Sequence, residues 1–240
     1  MSASIILTGC LGGLGTAINS VLTESGYRVI GIDQDPGTSQ DYIAFDLRRL
    51  ASEDGHNELS KLLEKKLGKD SLLALINNAA VQKLDEFHQF QDSDFMDSML
   101  INAIAPAFLS RLLLARLSES NGQIINIGSI HGEQTKPGFF SYSTSKSALA
   151  GVTRALAVEI GAKVRVNMIV PAAIETDMLR AGLSDSQIRS LKSLHPTGCI
   201  GEPYNVANFV ASLISQNNRF INGAFIEIDG GISRRLYDIE

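Results

Sequence analysis

Ser4-Ile5-Ile6-Leu7-Thr8-Gly9-Cys10-Leu11-Gly12-Gly13-Leu14-Gly15 decides the fold of this chain. A short isoleucine-rich run passes directly into a glycine-dense turn, and Ala17, Ile18, Val21 and Leu22 then recur at helical spacing. Strand, glycine turn and helix in that order suit a phosphate. Glycines let the backbone turn sharply and approach a pyrophosphate, while the free N–H groups and positive end of the helix attract its charge.

Reading outward, Tyr27 to Ile32 forms a second strand that ends on Asp33. A carboxylate there can accept hydrogen bonds from both ribose hydroxyls and repels a 2'-phosphate. Cys10, Leu11, Gly12 and Gln34, where a basic residue could reverse that preference, carry no positive charge, so NAD is favoured over NADP. The third strand position falls at Phe45-Asp46-Leu47, and a charged helix follows from about His56 to Leu67. Leu72 to Ile76 is the next buried strand and runs into Asn77-Asn78-Ala79-Ala80. Ligands sit at such carboxyl ends in open α/β sheets, although asparagines there serve turn backbone equally well.

Asp92 to Ser118 reads as one long helix with Pro106 inside it. Proline lacks an N–H, so the carbonyl four residues back, that of Asn102, loses its partner at an expected kink. Gln123 to Ile127 is a strand closed by Gly128-Ser129. Thirteen residues beyond Ser129 stands Tyr142, with Lys146 four further on. The pattern Ala148, Leu149, Val152, Ala155, Leu156 makes this stretch helical, so Tyr142 and Lys146 share one face. A positive charge beside a phenol favours the phenolate and moves its pKa toward working pH, as a proton-transfer group requires.

Val164 to Val170 is a sixth strand ending at Pro171. Residues 172–196 are polar and partly helical, and Thr176 to Leu191 reads as a flexible substrate lid. Tyr204 to Ile214 is helical, and Ala224 to Ile228 is a last strand before Asp229-Gly230-Gly231. Strands alternating with helices imply an α/β protein: a Rossmann-type, doubly wound, seven-stranded parallel sheet with helices on both faces, in a single domain over residues 1–240.

Hydrophobic residues make up 44% of the chain and charged residues 20%, as in soluble globular proteins, and the net charge of -5 offers nothing to nucleic acid or anionic membrane. Apolar runs such as Leu72 to Ile76 are too short to span a bilayer, and no signal segment opens the chain, so a cytoplasmic location is expected. Cys10 and Cys199 have neither disulfide nor metal-ligand spacing, and no metal is expected.

The residues resemble the short-chain dehydrogenase/reductase family, single-domain branch, from Thr8 to Gly231. Thr8, Gly9, Gly13 and Gly15 match T-G-x-x-x-G-x-G, and Asn77, Asn78 and Ala79 match N-N-A-G, with Ala80 where glycine is usual. Ser129, Tyr142 and Lys146 match the catalytic serine and Y-x-x-x-K, and Asn102 matches the helix asparagine. Asn167, Pro171 and Thr176 look like N-x-x-x-P-G-x-x-x-T, with Ala172 replacing its glycine. The resemblance implies that Tyr142 exchanges a proton with the substrate oxygen as hydride moves between nicotinamide and carbon. Lys146 would lower the tyrosine's pKa and hold the nicotinamide ribose, Ser129 would bond the substrate oxygen, and the Asn102 carbonyl would position a relay water. Asp33 would bind the adenosine ribose, Asp46 the adenine, Asn78 the ribose region, and Ile174 and Thr176 the carboxamide. Gly9, Leu11, Gly12, Gly13, Leu14, Gly15, Leu47, Ala79, Ala80, Pro171 and Ala172 complete the implied cofactor lining.

The expected activity is NAD(H)-dependent interconversion of a secondary alcohol and a ketone. Two alternatives stand beside it: a 3-oxoacyl-thioester reductase and a non-catalytic dinucleotide-binding regulator. The pocket candidates His131, Gln134, Phe139, Phe140, Met178 and Leu179 leave the small-molecule substrate open, and His131 reads as a loop residue before a second base. The resemblance also implies a homodimer or homotetramer, paired through the helices of Asn102 and Tyr142; Leu109, Leu112, Leu113, Leu117, Val152 and Leu156 could supply that surface or face the core.

Overall fold

The computed structural model describes residues 3–215 and 219–236; the outermost residues of the expected 1–240 domain lie outside them. Strands β1 (Ala3–Thr8), β2 (Arg28–Asp33), β3 (Tyr42–Ala44), β4 (Ser71–Asn77), β5 (Gln123–Ile127), β6 (Arg165–Pro171) and β7 (Phe225–Ile228) form one sheet in the order β3-β2-β1-β4-β5-β6-β7. Every ladder in it is parallel. Such strands are covered on both faces, which is why β1, β4 and β6 read as nearly unbroken apolar runs.

One face carries α1 (Gly13–Glu24) and α8 (Pro203–Ser215), whose Ala17, Ile18, Leu22, Val206 and Val210 pack on Ile5, Leu7 and Ile76. The other carries α2 (Glu53–Leu67), α4 (Ala105–Glu119) and α5 (Phe140–Glu159), with Leu59, Leu63, Leu109, Leu113 and Leu117 against Ile6, Leu75 and Ile124. The order in which strands are added reverses between β1 and β4, so the carboxyl ends of β1, β2, β4 and β5 open onto a shared crevice, where doubly wound sheets take ligands.

Three sequence expectations are corrected. The third strand lies at Tyr42–Ala44, ahead of Phe45, because Tyr42 and Ile43 pair with Gly31 and Ile32; Asp46 instead caps a 3-10 turn over Leu47–Ala51. The long helix is α3 (Asp92–Met99), a π turn (Leu100–Ile104) and α4, joined end to end. At the π turn the Ala105 N–H reaches back to the Leu100 carbonyl, and Pro106 follows in the first turn of α4. Its irregularity is thus a widened turn just before the proline. By length and composition Asp92–Glu119 could cross a bilayer, but half of its most apolar window is buried, as in a core helix. Leu109, Leu113 and Leu117 belong to that core, which removes them from the expected self-association surface.

Residues 172–196 hold two short helices, α6 (Asp177–Gly182) and α7 (Asp185–Leu194), the second opened by a Ser184/Gln187 capping box. An isolated bridge between Ile174 and Gly201 ties the start of this excursion to the chain beyond it.

Candidate active site

The glycine turn is held from below. Asn78 donates from its side-chain amide to the carbonyls of Thr8 and Gly9, both at 3.0 Å, and the Thr8 hydroxyl accepts from the N–H groups of Asn78 and Ala79 at 3.0 Å. Asn78 therefore fixes the loop, and its expected bond to the ribose region would compete with that work. Gly9 has φ +65°, and a Cβ there would stand 2.7 Å from the Cα of Ala79; a Cβ on Gly15 would stand 1.9 Å from the Gly9 carbonyl oxygen. Only glycine fits either place. Gly12 caps helix α1 without any side-chain hydrogen bond, so the first-turn N–H groups are left without a capping side chain. Glycines too tightly packed to carry side chains, and an uncapped helix start, fit a pyrophosphate. Leu11 is exposed beside the turn, whereas Leu14 leans on the core under α1.

At the end of β2 the Asp33 carboxylate accepts from the Leu11 N–H at 3.0 Å and the Gln34 N–H at 2.8 Å, linking the strand end to the glycine turn. Asp46 is engaged by Arg48, whose Nε lies 3.0 and 2.9 Å from its two oxygens. Burial pulls the Asp46 carboxyl up, but the Arg48 hydrogen bonds outweigh it and leave it below its ordinary value. Leu47, expected to line the cofactor, turns its side chain into the core and leaves main-chain atoms for a ligand. No motif pointed to Arg48, whose guanidinium also reaches the Gln34 side chain at 3.3 Å, next to Asp33.

At the β5 end, Ser129 lies close enough to the Tyr142 phenol to influence its titration, and its hydroxyl accepts from the His131 N–H at 3.2 Å. Lys146 is buried; its Nζ donates to the Ile127 carbonyl at 2.9 Å and lies 5.7 Å from the Tyr142 ring centre. The helical spacing holds, but the electrostatics differ from expectation. Tyr142 is partly exposed by surface, yet enough protein surrounds it that burial raises its pKa, with Ser129 opposing. Burial also draws Lys146 down to about 8, so at pH 7 it still carries its charge on roughly nine molecules in ten. His131 stacks on Phe139 at 4.3 Å between ring centres, and burial, with Lys136 nearby, lowers it to about 4. It is a neutral aromatic wall at pH 7, facing Tyr142 edge-on at 6.0 Å.

Asn102 works through its side chain. Its amide accepts from the Val81 N–H and donates to the Val81 carbonyl, each at 2.9 Å, and donates to the Ser145 hydroxyl at 2.9 Å; Ser145 in turn donates to the Tyr142 carbonyl at 2.7 Å. A second tie comes from Asp85. Its carboxylate accepts from the Ser141 N–H at 3.0 Å and from the Ser141 hydroxyl, and its carbonyl accepts from the Phe140 N–H at 3.3 Å, which caps the start of the helix that carries Tyr142. Below, Asn77 donates to Asn126 at 2.8 Å and Asn126 to Thr153 at 2.9 Å, a buried chain joining β4, β5 and α5. Ser145, Asp85 and Asn126 carry no motif; only Asn126, a polar residue between Ile125 and Ile127, offered a signal.

On the far side, Pro171 ends β6 and Ala172 donates to the Ile228 carbonyl at 3.3 Å. Among the described residues Asn121 alone combines a side chain with positive φ, so the methyl groups of Ala80 and Ala172 sit on ordinary backbone. Ile174 packs on the core, and Thr176, the cap of α6, presses on the glycine turn: a Cβ on Gly13 would lie 3.3 Å from its Cγ2. Asn167 pairs through its side chain with Ile221 and Ala224, away from the crevice.

A doubly wound sheet with a glycine turn at one strand end and a serine, tyrosine and lysine at another defines a class of dinucleotide-dependent oxidoreductases. Residues 9–233 match the family profile described as enoyl-(acyl carrier protein) reductase. The chain is 30% identical over 236 residues to the 3-oxoacyl-[acyl-carrier-protein] reductase FabG of Escherichia coli, covering 95% of this chain and 96% of that one. Among solved structures it is similar to a 4-hydroxyisoleucine dehydrogenase complexed with NADH, with TM-score 0.88, 28% identity and 98% and 100% of the two chains covered. It is also similar to ElxO with NADP bound, with TM-score 0.86, 25% identity and the same coverage. The chain belongs to the short-chain dehydrogenase/reductase family.

Proposed function

We propose that this chain is an NAD(H)-dependent oxidoreductase that interconverts a secondary alcohol and a ketone. The observation that carries the reading is the Tyr142 phenol beside Ser129, with Lys146 on the same helix face, at the edge where the uncapped glycine helix opens. A nicotinamide dinucleotide, when bound, supplies or accepts the hydride. Tyr142 gives a proton to the substrate oxygen during reduction, or takes one during oxidation. Its raised pKa keeps it protonated at neutral pH, which suits the acid role as the structure stands. Ser129 holds the substrate oxygen beside that phenol. Lys146 keeps a charge behind it that favours the phenolate left after transfer. Gly12, Gly13 and the start of α1 hold the pyrophosphate, Asp33 the adenosine ribose, and Ala79, Ala80, Pro171, Ala172, Ile174 and Thr176 border the nicotinamide half. The 172–196 segment closes over the substrate, and the enzyme works in the cytoplasm as a homo-oligomer.

Asp33 supports NAD(H), since a carboxylate at the end of β2 opposes a 2'-phosphate. The likeness to FabG favours a second reading, reduction of a 3-oxoacyl thioester. Steady-state rates with NADH and NADPH, each against an acetoacetyl thioester and a panel of sugars, hydroxy acids and aliphatic alcohols or ketones, separate the two. NADH-linked turnover of a simple alcohol or ketone is the expected result. Thioester reduction with strong NADPH preference would replace it by the second reading. Dinucleotide binding without turnover on any of them would remove both.

A further inference from the structure

We propose that Asp97, together with Asp46, holds Arg48 as a neutralised clamp that sets the adenosine end against a 2'-phosphate. The inference rests on the reading that this edge binds a nicotinamide dinucleotide. Arg48 is the basic group that could undo the Asp33 preference, because its guanidinium touches Gln34, the residue directly after Asp33. It is not at liberty to do so. Asp46 takes the Nε edge at 3.0 and 2.9 Å and the adjacent Nη2 at 2.9 Å, and Asp97, on α3, takes Nη1 at 3.2 Å.

Counting formal charges, Asp33, Asp46 and Asp97 set three negatives against Arg48 and the neighbouring Arg49, and Arg49 is itself paired with Glu58. A 2'-phosphate would bring roughly two more negatives to that neighbourhood. The geometry also assigns unequal duties to the two partners. Asp46 shares the 3-10 turn with Arg48, caps it and stands two residues away. Asp97 lies 49 positions further along and contacts Arg48 only through the tertiary fold. Asp97 is thus the partner whose removal frees one edge of the guanidinium while the local turn stays intact. The Arg48 side chain retains 42% exposure, so a freed edge has room to turn toward the ribose.

Fluorescence titration of NADH and NADPH, with no substrate present, gives the ratio of the two dissociation constants directly. D97N and D97S are each expected to shift that ratio toward NADPH by about twofold to fivefold, the range for loss of one partly exposed ion pair. R48Q added to D97N should abolish the shift. An unchanged ratio in both Asp97 variants overturns the proposal, as does a shift that survives R48Q. Wild-type protein that binds neither dinucleotide overturns both this inference and the functional reading beneath it; binding with an unmoved ratio overturns the inference alone.

Discussion

Charge is handled differently at the two ends of the carboxyl edge. Beside β5, Lys146 is 3% exposed and bonded to a backbone carbonyl, and the Tyr142 phenol is closed in beside Ser129. Beside β2, Asp33, Asp46, Arg48 and Asp97 stand together at the surface, each with at least one polar partner. In the first region burial sets the protonation behaviour, so removing a single group changes the chemistry. In the second, several charges offset one another under solvent screening, and single changes adjust affinity by small factors. One end is suited to reaction and the other to selection.

The sharpest way to break this contrast is Tyr142→Phe. It should lower turnover by roughly a thousandfold, within the span of general acid-base catalysis, while NADH affinity stays nearly unchanged. A variant that keeps most of its activity would show that the buried phenol does not carry the proton.

Next in size is a stability effect of Lys146. Its folded pKa, about 8, lies below its ordinary 10.5, so between those values the unfolded chain holds more protons than the folded one. Stability should rise with pH across that window, by at most about 3 kcal/mol, and the burial penalty is fully present below pH 8. Urea unfolding of wild type and Lys146→Met at pH 8 and pH 10 checks it: the wild type should gain on the variant as pH rises.

Asp33→Asn tests the other region. Loss of a charged acceptor should weaken NADH by about tenfold and narrow the gap to NADPH, as titration at low and high salt would measure. If the change matched Tyr142→Phe in severity, the division of labour between the ends would fail. Smallest is Asp85→Ala, which uncaps the tyrosine-bearing helix at a cost of about 1 kcal/mol, read from the urea midpoint. Turnover should fall more than NADH binding, because the Asp85 bonds end on Ser141, the residue before Tyr142 on the same helix.

Much of this was legible in the chain. The glycine turn, the alternation of strand and helix, and the four-residue step from Tyr142 to Lys146 are local patterns, and local patterns survive reading in one dimension. The electrostatics were less so, because a tyrosine pKa depends on how deeply the ring is surrounded. Spacing places Lys146 near Tyr142 but leaves open that its ammonium turns to the Ile127 carbonyl. Arg48 escaped notice because its contacts to Gln34 and Asp97 span 14 and 49 positions. Asp85 and Ser141, 56 positions apart, meet only after α3 has folded back along α5. Pro106 drew attention to a real irregularity around Asn102, which the structure forms as a widened turn over Leu100–Ile104.

That π turn has a consequence for how the helix keeps time. Five residues close a loop that four would close in α geometry, so everything after Ile104 is advanced by one residue, a rotation of roughly 100°. Upstream phase brings Asn102 onto Val81 and Ser145; downstream phase turns Leu109, Leu113 and Leu117 into the core. Deleting a single residue between 100 and 104 would leave a regular helix with both sets of side chains present. It would also leave them out of step, so that seating the leucine stripe would swing the asparagine away from the tyrosine helix.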